Sequence, residues 1–266
     1  MKKIILTILL LAFCVSISGA GITDQMRRVI AAKNAGAPVS SCPSYYASAV
    51  LSWDGDHTSG VLNACDSSGN AVLFVDGGSV DISTYGEASS NAIKVDDLNE
   101  YMYYTQTSNQ YLNPSTAQTI CARVYAGAQL TNHGVVVLGR NVGTEYIGAY
   151  IDNNAGIRVM GYLRATTAED GAFGDAIGAT TWRTIGYAYD HTNADHSANP
   201  GDGVWASTWE DDVDELTEAW AAGMTQIDIG TADWARDYGD PSTTTYYYID
   251  EWAIVTGYKA DCTALF

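Results

Sequence analysis

The segment Tyr246-Tyr-Tyr-Ile-Asp-Glu-Trp-Ala-Ile-Val-Thr-Gly-Tyr258 consists mostly of β-branched and aromatic residues, with no proline and no glycine before Gly257. This composition predicts a β-strand. Alternation along a strand predicts that the even-numbered side chains share one face and the odd-numbered side chains share the other. Apolar side chains occur on both predicted faces, which indicates a central strand that is packed on both sides.

An acidic pair, Asp250 and Glu251, lies in the middle of this predicted strand. A carboxylate that is buried in a protein needs a cationic partner, a set of N–H donors or a metal ion. The pair therefore marks a position where the fold must supply one of these three.

The rest of the chain predicts further short strands. They alternate in hydropathy and are separated by clusters of Gly, Asn, Asp and Ser, and the chain has 26 Gly but only 5 Pro. The predicted strands are Ala49–Trp53, Ala71–Val75, Thr119–Tyr125, Val135–Gly139, Tyr146–Ile151, Ile157–Leu163, Thr184–Tyr189, Val204–Thr208, Gln226–Ile229 and Tyr246–Thr256. This pattern predicts an all-β sandwich or barrel in a single domain.

The amino-terminal part of the chain has a different character. Residues 1–20 combine two lysines, an apolar run and a small-residue site, which predicts a cleaved signal peptide and a secreted, periplasmic or cell-surface protein. Residues 21–41 predict a short helix, Ile22–Ala35, and a linker, and residues 42–266 form the predicted domain. The helix carries three basic residues, so it is either a solvated surface helix or a segment through which the chain assembles.

The chain is strongly acidic, with a formal net charge of −18. Such a charge repels phosphate backbones, which argues against nucleic acid as a partner. No segment after the predicted signal peptide is long and apolar enough to span a membrane.

Four cysteines follow the predicted signal peptide: Cys42, Cys65, Cys121 and Cys262. An even number of cysteines in an exported chain predicts two disulfides. Three pairings are open. We favour Cys42 with Cys262, because the two ends of a domain often lie close together.

Several segments together resemble laminin-G-like, or concanavalin A-like, domains. The similar segments are Val50–Gly55, Asn141–Leu163, Trp182–Asp190, Gly203–Trp209, Ile227–Gly230 and Tyr248–Val255. The resemblance implies a jelly-roll sandwich of two antiparallel sheets, one of them concave. It implies a module that binds glycans or proteins, although some relatives are glycoside hydrolases or polysaccharide lyases.

The same resemblance implies a structural calcium ion at Asp250. In many relatives an acidic residue of the closing strand helps to hold calcium beside the opening strand, where Asp54 lies in this sequence. Calcium takes six to eight oxygen ligands, so backbone carbonyls would supply the remainder. The alternative is a carboxylate that accepts ordinary hydrogen bonds.

An acidic segment offers a second interpretation of function. Glu210, Asp212 and Glu215 have the spacing of the catalytic carboxylates in some concanavalin A-like glycoside hydrolases. The alternative is the first turn of a short surface helix, Glu210–Gly223, where acidic residues oppose the helix dipole.

The aromatic residues favour carbohydrate binding. Tyrosine and tryptophan far outnumber phenylalanine, and both suit a solvated sugar-binding surface. Trp53, Trp182 and Trp252 lie in strands that we predict to be buried. The candidate ligand-binding residues are Trp205, Trp209, Trp234 and Tyr238. We therefore predict a secreted, non-catalytic glycan-binding or adhesive module, with a polysaccharide-cleaving enzyme and a surface assembly protein as the alternatives.

Overall fold

The structure is a computed structural model, and it describes the chain in separate ranges. These are residues 46, 49–55, 62–78, 80–87, 91–96, 100–127, 134–141, 146–152, 158–164, 169–190, 195–199, 223–230, 246–257 and 262–266. The chain divides into two compact units, Met1–Pro38 and Val39–Phe266, and every described residue belongs to the second. The predicted signal peptide, the predicted helix Ile22–Ala35, the predicted strand Val204–Thr208 and, except for Gly223, the predicted helix Glu210–Gly223 lie outside these ranges.

Fifteen β-strands account for the regular structure of the described residues, which contain no helix. The strands are β1 (Ala49–Trp53), β2 (Leu62–Asp66), β3 (Ala71–Asp76), β4 (Asp81–Ser83), β5 (Ala92–Val95), β6 (Tyr101–Thr105), β7 (Gln118–Ala126), β8 (Gly134–Arg140), β9 (Tyr146–Asp152), β10 (Arg158–Arg164), β11 (Glu169–Ala176), β12 (Trp182–Asp190), β13 (Asp195–Asn199), β14 (Gln226–Gly230) and β15 (Tyr247–Thr256). The all-β class is confirmed.

The strands pair antiparallel in the order β11-β10-β9-β8-β14-β6-β3-β2-β1-β15-β7-β12-β13, with β5 and β4 attached to the side of β15. Strand β3 joins the two arms of this network, because its first half pairs with β2 and its end pairs with β6. Strands of the two arms also meet face to face, as β7 does with β9 and β10 with β12. The network is therefore folded over a shared interior.

The main core fills the space between the two arms. Trp53, Phe74 and Trp252 are fully buried in it, and the rings of Phe74 and Trp252 meet edge to face at 5.4 Å. Gly161 on β10 faces Tyr187 on β12 so closely that a Cβ atom there would overlap the tyrosine ring. This contact explains why β10 carries glycine at the point where the arms approach.

Strand β15 departs from the simple alternation that the sequence predicts. The register between β15 and β7 shifts between Ile249 and Glu251, which is a β-bulge. Ile249 and Trp252 consequently share the inner, core face, whereas Tyr248 and Ala253 share the outer face. The prediction that Tyr248 and Trp252 lie on one face is wrong, because the bulge inserts one extra residue between them.

The disulfide pairing also differs from the expectation. Cys121 on β7 is bonded to Cys262 near the carboxyl end of the chain, with a Cα–Cα distance of 5.7 Å. Cys65 is disulfide-bonded as well. The favoured pair of Cys42 with Cys262 is therefore wrong. The carboxyl-terminal segment instead lies over the outer face of β7 and β15, where Ala253 and Val255 pack against Cys262.

Candidate functional site

Three aromatic side chains form a row on the outer face, across adjacent strands. Tyr248 of β15 is paired with Tyr125 of β7, and Tyr125 is paired with Trp182 of β12. Directly opposed residues of an antiparallel pair hold their side chains about 5 Å apart. The ring centroids accordingly lie 5.9 Å apart for Tyr125 and Tyr248, and 5.6 Å apart for Tyr125 and Trp182.

Two further tyrosines complete this group. Tyr85, which follows β4, lies 4.9 Å from Tyr248, 5.5 Å from Tyr125 and 6.1 Å from Trp182, and it stacks on the tryptophan. Tyr246 packs edge-on against Tyr248 at 5.6 Å. We call Tyr85, Tyr125, Trp182, Tyr246 and Tyr248 the aromatic cluster.

The aromatic cluster is open to solvent. Tyr85 is 48% exposed and Tyr246 is 40% exposed, and they are the two exposed large hydrophobic side chains of the described residues. The other three rings are half-buried beside them. A group of exposed aromatic rings on a folded domain is a feature of binding surfaces.

The local sequence places these rings outward because their strand neighbours belong to the core. Val124 and Ala126 flank Tyr125, and Tyr247 and Ile249 flank Tyr248, and all four pack in the interior. Gly127 then lets the chain approach closely: its N–H donates to the Tyr246 carbonyl at 2.9 Å, and a Cβ atom there would lie 2.6 Å from that oxygen.

A polar network beneath the cluster holds the Tyr85 segment in place. The Glu87 backbone N–H donates to Asp250 Oδ2 at 2.9 Å, and Arg123 Nε donates to the Glu87 carboxylate at 2.6 Å. Arg123 also donates to Thr184 Oγ1 at 3.2 Å. Because Tyr85 is two residues from Glu87, these bonds fix the position of its ring. An N–H donor is thus one partner that the fold provides for the buried Asp250.

The bulge places Glu251 on this outer side as well, opposite Arg123. Glu251 is buried, and the Tyr46 hydroxyl donates a hydrogen bond to it. Burial, together with the neighbouring charge of Asp250, raises the pKa of Glu251 to about 7, although Tyr46 and Arg123 oppose the shift. Burial and the Glu251 charge in turn raise the pKa of Tyr46.

Ionised side chains border the aromatic cluster on the β4–β5 side. Lys94 of β5 lies between Asp81 of β4 and Tyr248 of β15 in one cross-strand row. Lys94 forms an ion pair with Asp96, and the hydrogen bond in this pair raises the pKa of the lysine. Burial raises the pKa of Tyr248, so its hydroxyl remains a hydrogen-bond donor at neutral pH.

A second buried carboxylate lies on the other arm of the network, and the sequence analysis did not predict it. Asp228 of β14 is fully buried, with Arg140 Nε 2.5 Å from its Oδ2 and Gln226 Nε2 donating to its Oδ1 at 2.6 Å. Burial raises its pKa to about 6 against the opposing effect of Arg140. We interpret this group as a structural ion pair.

Most of the predicted site residues fall outside the described ranges. This applies to Trp205, Trp209, Trp234 and Tyr238 as ligand-binding candidates, to Glu210, Asp212 and Glu215 as catalytic candidates, and to Cys42. Trp53 and Trp252 are buried as predicted, but Trp182 is not, because it stands at the surface in the aromatic cluster.

The calcium prediction concerns two residues that the structure does describe. Asp54 is half-buried and Asp250 is fully buried, and the charges of both act on Glu251. Within the described ranges, no group of three or more His, Cys, Asp or Glu side chains could hold a metal ion. Two side-chain carboxylates alone do not fit calcium, so most ligands would have to be backbone carbonyls or water. The calcium site stays a prediction.

Comparison with known proteins finds similarity in structure alone. No protein-family model matches the chain, and no curated protein matches it in sequence. Among solved structures, the binding domain of botulinum neurotoxin serotype G is similar, at 15% identity and a TM-score of 0.55. So is the ligand-binding domain of serotype D in complex with N-acetylneuraminic acid, at 13% identity and a TM-score of 0.57.

A third similar structure is that of botulinum neurotoxin type C, whose cell entry depends on interaction with two ganglioside molecules; it has 13% identity and a TM-score of 0.57. Each of these three matches covers 80% of this chain and 48–49% of the neighbour. The chain shares a fold with these domains. It spans about half of their length, so the likeness concerns their fold and not their function.

The chain contains no helix, among the residues described, that is long and apolar enough to cross a membrane.

Proposed function

We propose that this protein is a secreted, non-catalytic glycan-binding module with a concanavalin A-like jelly-roll fold, and that the aromatic cluster is its binding surface. The observation that carries the proposal is the grouping of five tyrosine and tryptophan rings on one outer face, two of them exposed. Sugars present flat faces of C–H groups that stack on such rings.

The hydroxyl groups of the same tyrosines would supply the polar contacts. Burial and the hydrogen bond with Tyr85 raise the pKa of Tyr125, so this hydroxyl keeps its proton at neutral pH. Tyrosine therefore offers a ring face for the apolar side of a sugar and a hydroxyl for its hydroxyl groups.

The structural neighbours support the proposal at the level of fold. Two of them bind sialic acid or gangliosides, so this fold is found in proteins that bind glycans. Secretion is supported by the disulfide between Cys121 and Cys262 and by the second disulfide at Cys65, since disulfides persist in oxidising compartments.

A glycan array followed by calorimetric titration tests the proposal. We expect the protein to bind at least one glycan, and Tyr85→Ala or Tyr246→Ala to weaken that binding by about three- to tenfold, as expected for the loss of one stacked ring. Both rings are exposed, so neither change should alter the folded structure.

Tyr101→Ala is the matched control, because Tyr101 is a half-buried tyrosine on β6, away from the aromatic cluster. It should leave glycan affinity unchanged. The proposal fails if no glycan binds, or if the Tyr101 variant weakens binding as much as the two cluster variants do.

A further inference from the structure

We infer that the aromatic cluster selects uncharged glycans and discriminates against sialylated or sulfated ones. This inference rests on the proposed function and specifies the ligand of the same site. It departs from the ligands of the structural neighbours, two of which bind sialic acid or gangliosides.

The first step concerns the positive charges beside the cluster. An anionic sugar is held by cations that are free to pair with it, usually arginine or lysine. In the described part of the chain, two cations lie next to the cluster on its own face: Lys94, opposite Tyr248, and Arg123, two residues before Tyr125 on β7. Arg183, which follows Trp182, pairs with the core residue Val124 on the opposite face and donates to the Ile177 carbonyl. Lys94 is already paired with Asp96, and Arg123 with Glu87.

The second step concerns the negative charges at the same border. Asp81, Glu87 and Asp96 are exposed or half-exposed there, so among the described residues the carboxylates outnumber the two cations. The whole chain adds a formal net charge of −18. At physiological salt, charges within about 8 Å of each other are not fully screened. An anionic group on the ligand would therefore meet net repulsion.

The third step excludes a cationic ligand held in an aromatic cage. Four rings of the cluster touch one another, with centroids 4.9–6.3 Å apart between Tyr85, Tyr125, Trp182 and Tyr248. Rings in direct contact leave no space between them for an ammonium group, which a cage must surround on several sides. The cluster offers an outer surface, and a flat uncharged sugar face matches such a surface.

The two exposed rings also define the extent of this surface. Tyr85 and Tyr246 both contact Tyr248, and their ring centroids lie 4.9 Å and 5.6 Å, respectively, from that of Tyr248. They are close enough for one short oligosaccharide to stack on both. The ligand class is thus a neutral oligosaccharide of at least two sugar residues.

A glycan array that contains each oligosaccharide in neutral, sialylated and sulfated form tests the inference, with choline as a cationic probe. For each oligosaccharide that binds, we expect the neutral form to bind more tightly than the sialylated and sulfated forms. The difference in affinity should shrink as the salt concentration is raised. Tighter binding of the anionic forms would overturn the inference and leave the proposed function standing. If only choline binds, or if no probe binds, both the inference and the proposed function are wrong.

A charge variant tests the electrostatic argument directly. Asp96→Asn leaves Lys94 without its carboxylate, and we expect the sialylated form to gain about two- to fivefold in affinity, the range of an exposed ion pair. The neutral form should not change. Ser67→Lys is the control, because it changes the net charge equally at an exposed turn after β2, where the Ser67 N–H bonds the Val50 carbonyl at the far end of the sheet. Equal gains in both variants, or none in Asp96→Asn, would contradict the role of the paired cations.

Discussion

Replacing Glu251 with glutamine should make the stability of the protein less sensitive to a rise in pH through about 7. Glu251 is 8% exposed and faces the Tyr46 hydroxyl, Asp250, Asp54 and Arg123. Its pKa rises from 4.5 to about 7 in the folded protein, first because of burial and then because of Asp250. The folded protein therefore holds this proton more tightly than the unfolded chain does. The stabilisation is complete below pH 4.5 and is lost as the pH rises through about 7.

The size of the effect follows from the pKa shift. One pKa unit corresponds to about 1.4 kcal/mol, so the shift of Glu251 sets an upper value of about 3 kcal/mol. Screening by solvent reduces the expected value to about 1–2 kcal/mol. Glutamine keeps the shape of the side chain without the ionisation. The stability of Glu251→Gln relative to wild type should therefore increase by this amount as the pH is raised from weakly acidic to weakly alkaline.

Urea unfolding of both proteins at a series of pH values measures this difference. Asp228, whose raised pKa has the same sign, contributes equally to the two proteins and cancels. Tyr46→Phe provides a directional control: it removes a hydrogen bond that lowers the pKa of Glu251, so the loss of stability should move to higher pH. A pH-independent difference between wild type and Glu251→Gln would refute the reasoning.

Three further predictions concern stability. Cys121→Ser with Cys262→Ser opens a loop with a sequence separation of 141, and urea unfolding should show a loss of up to about 5 kcal/mol; an unchanged urea midpoint would contradict this. Trp252→Ala leaves a cavity at a fully buried site against Phe74. The free energy of unfolding should fall by about 3–5 kcal/mol in the same assay, and a fall of less than about 1 kcal/mol would contradict this. If Asp250 binds calcium, chelation should lower the melting midpoint by about 5–10 °C, and Asp250→Asn should abolish the response; a chelator-insensitive wild type would leave Asp250 as a hydrogen-bonded carboxylate.

The long strands could be predicted because their side chains alternate within one segment. β7, β8, β9 and β12 include the predicted segments and extend them by one to three residues, and β15 matches its predicted segment except that it begins one residue later, at Tyr247. The shortest strands could not be predicted in this way. Asp81–Ser83 has only three residues, and it is a strand because it pairs with β5, which in turn pairs with β15.

The sequence by itself determined the all-β class, the central position of β15 and the need of Asp250 for a partner. These follow from local composition and from the cost of burying a charge. Only the tertiary structure determines which group is the partner of Asp250, because the Glu87 N–H that donates to it lies 163 residues away along the chain. It also decided that Trp182 lies at the surface, since only the pairing of β12 with β7 places that ring beside Tyr125. The bulge in β15 and the bond between Cys121 and Cys262 have the same origin: register and proximity between distant strands are properties of packing, and no local pattern encodes them.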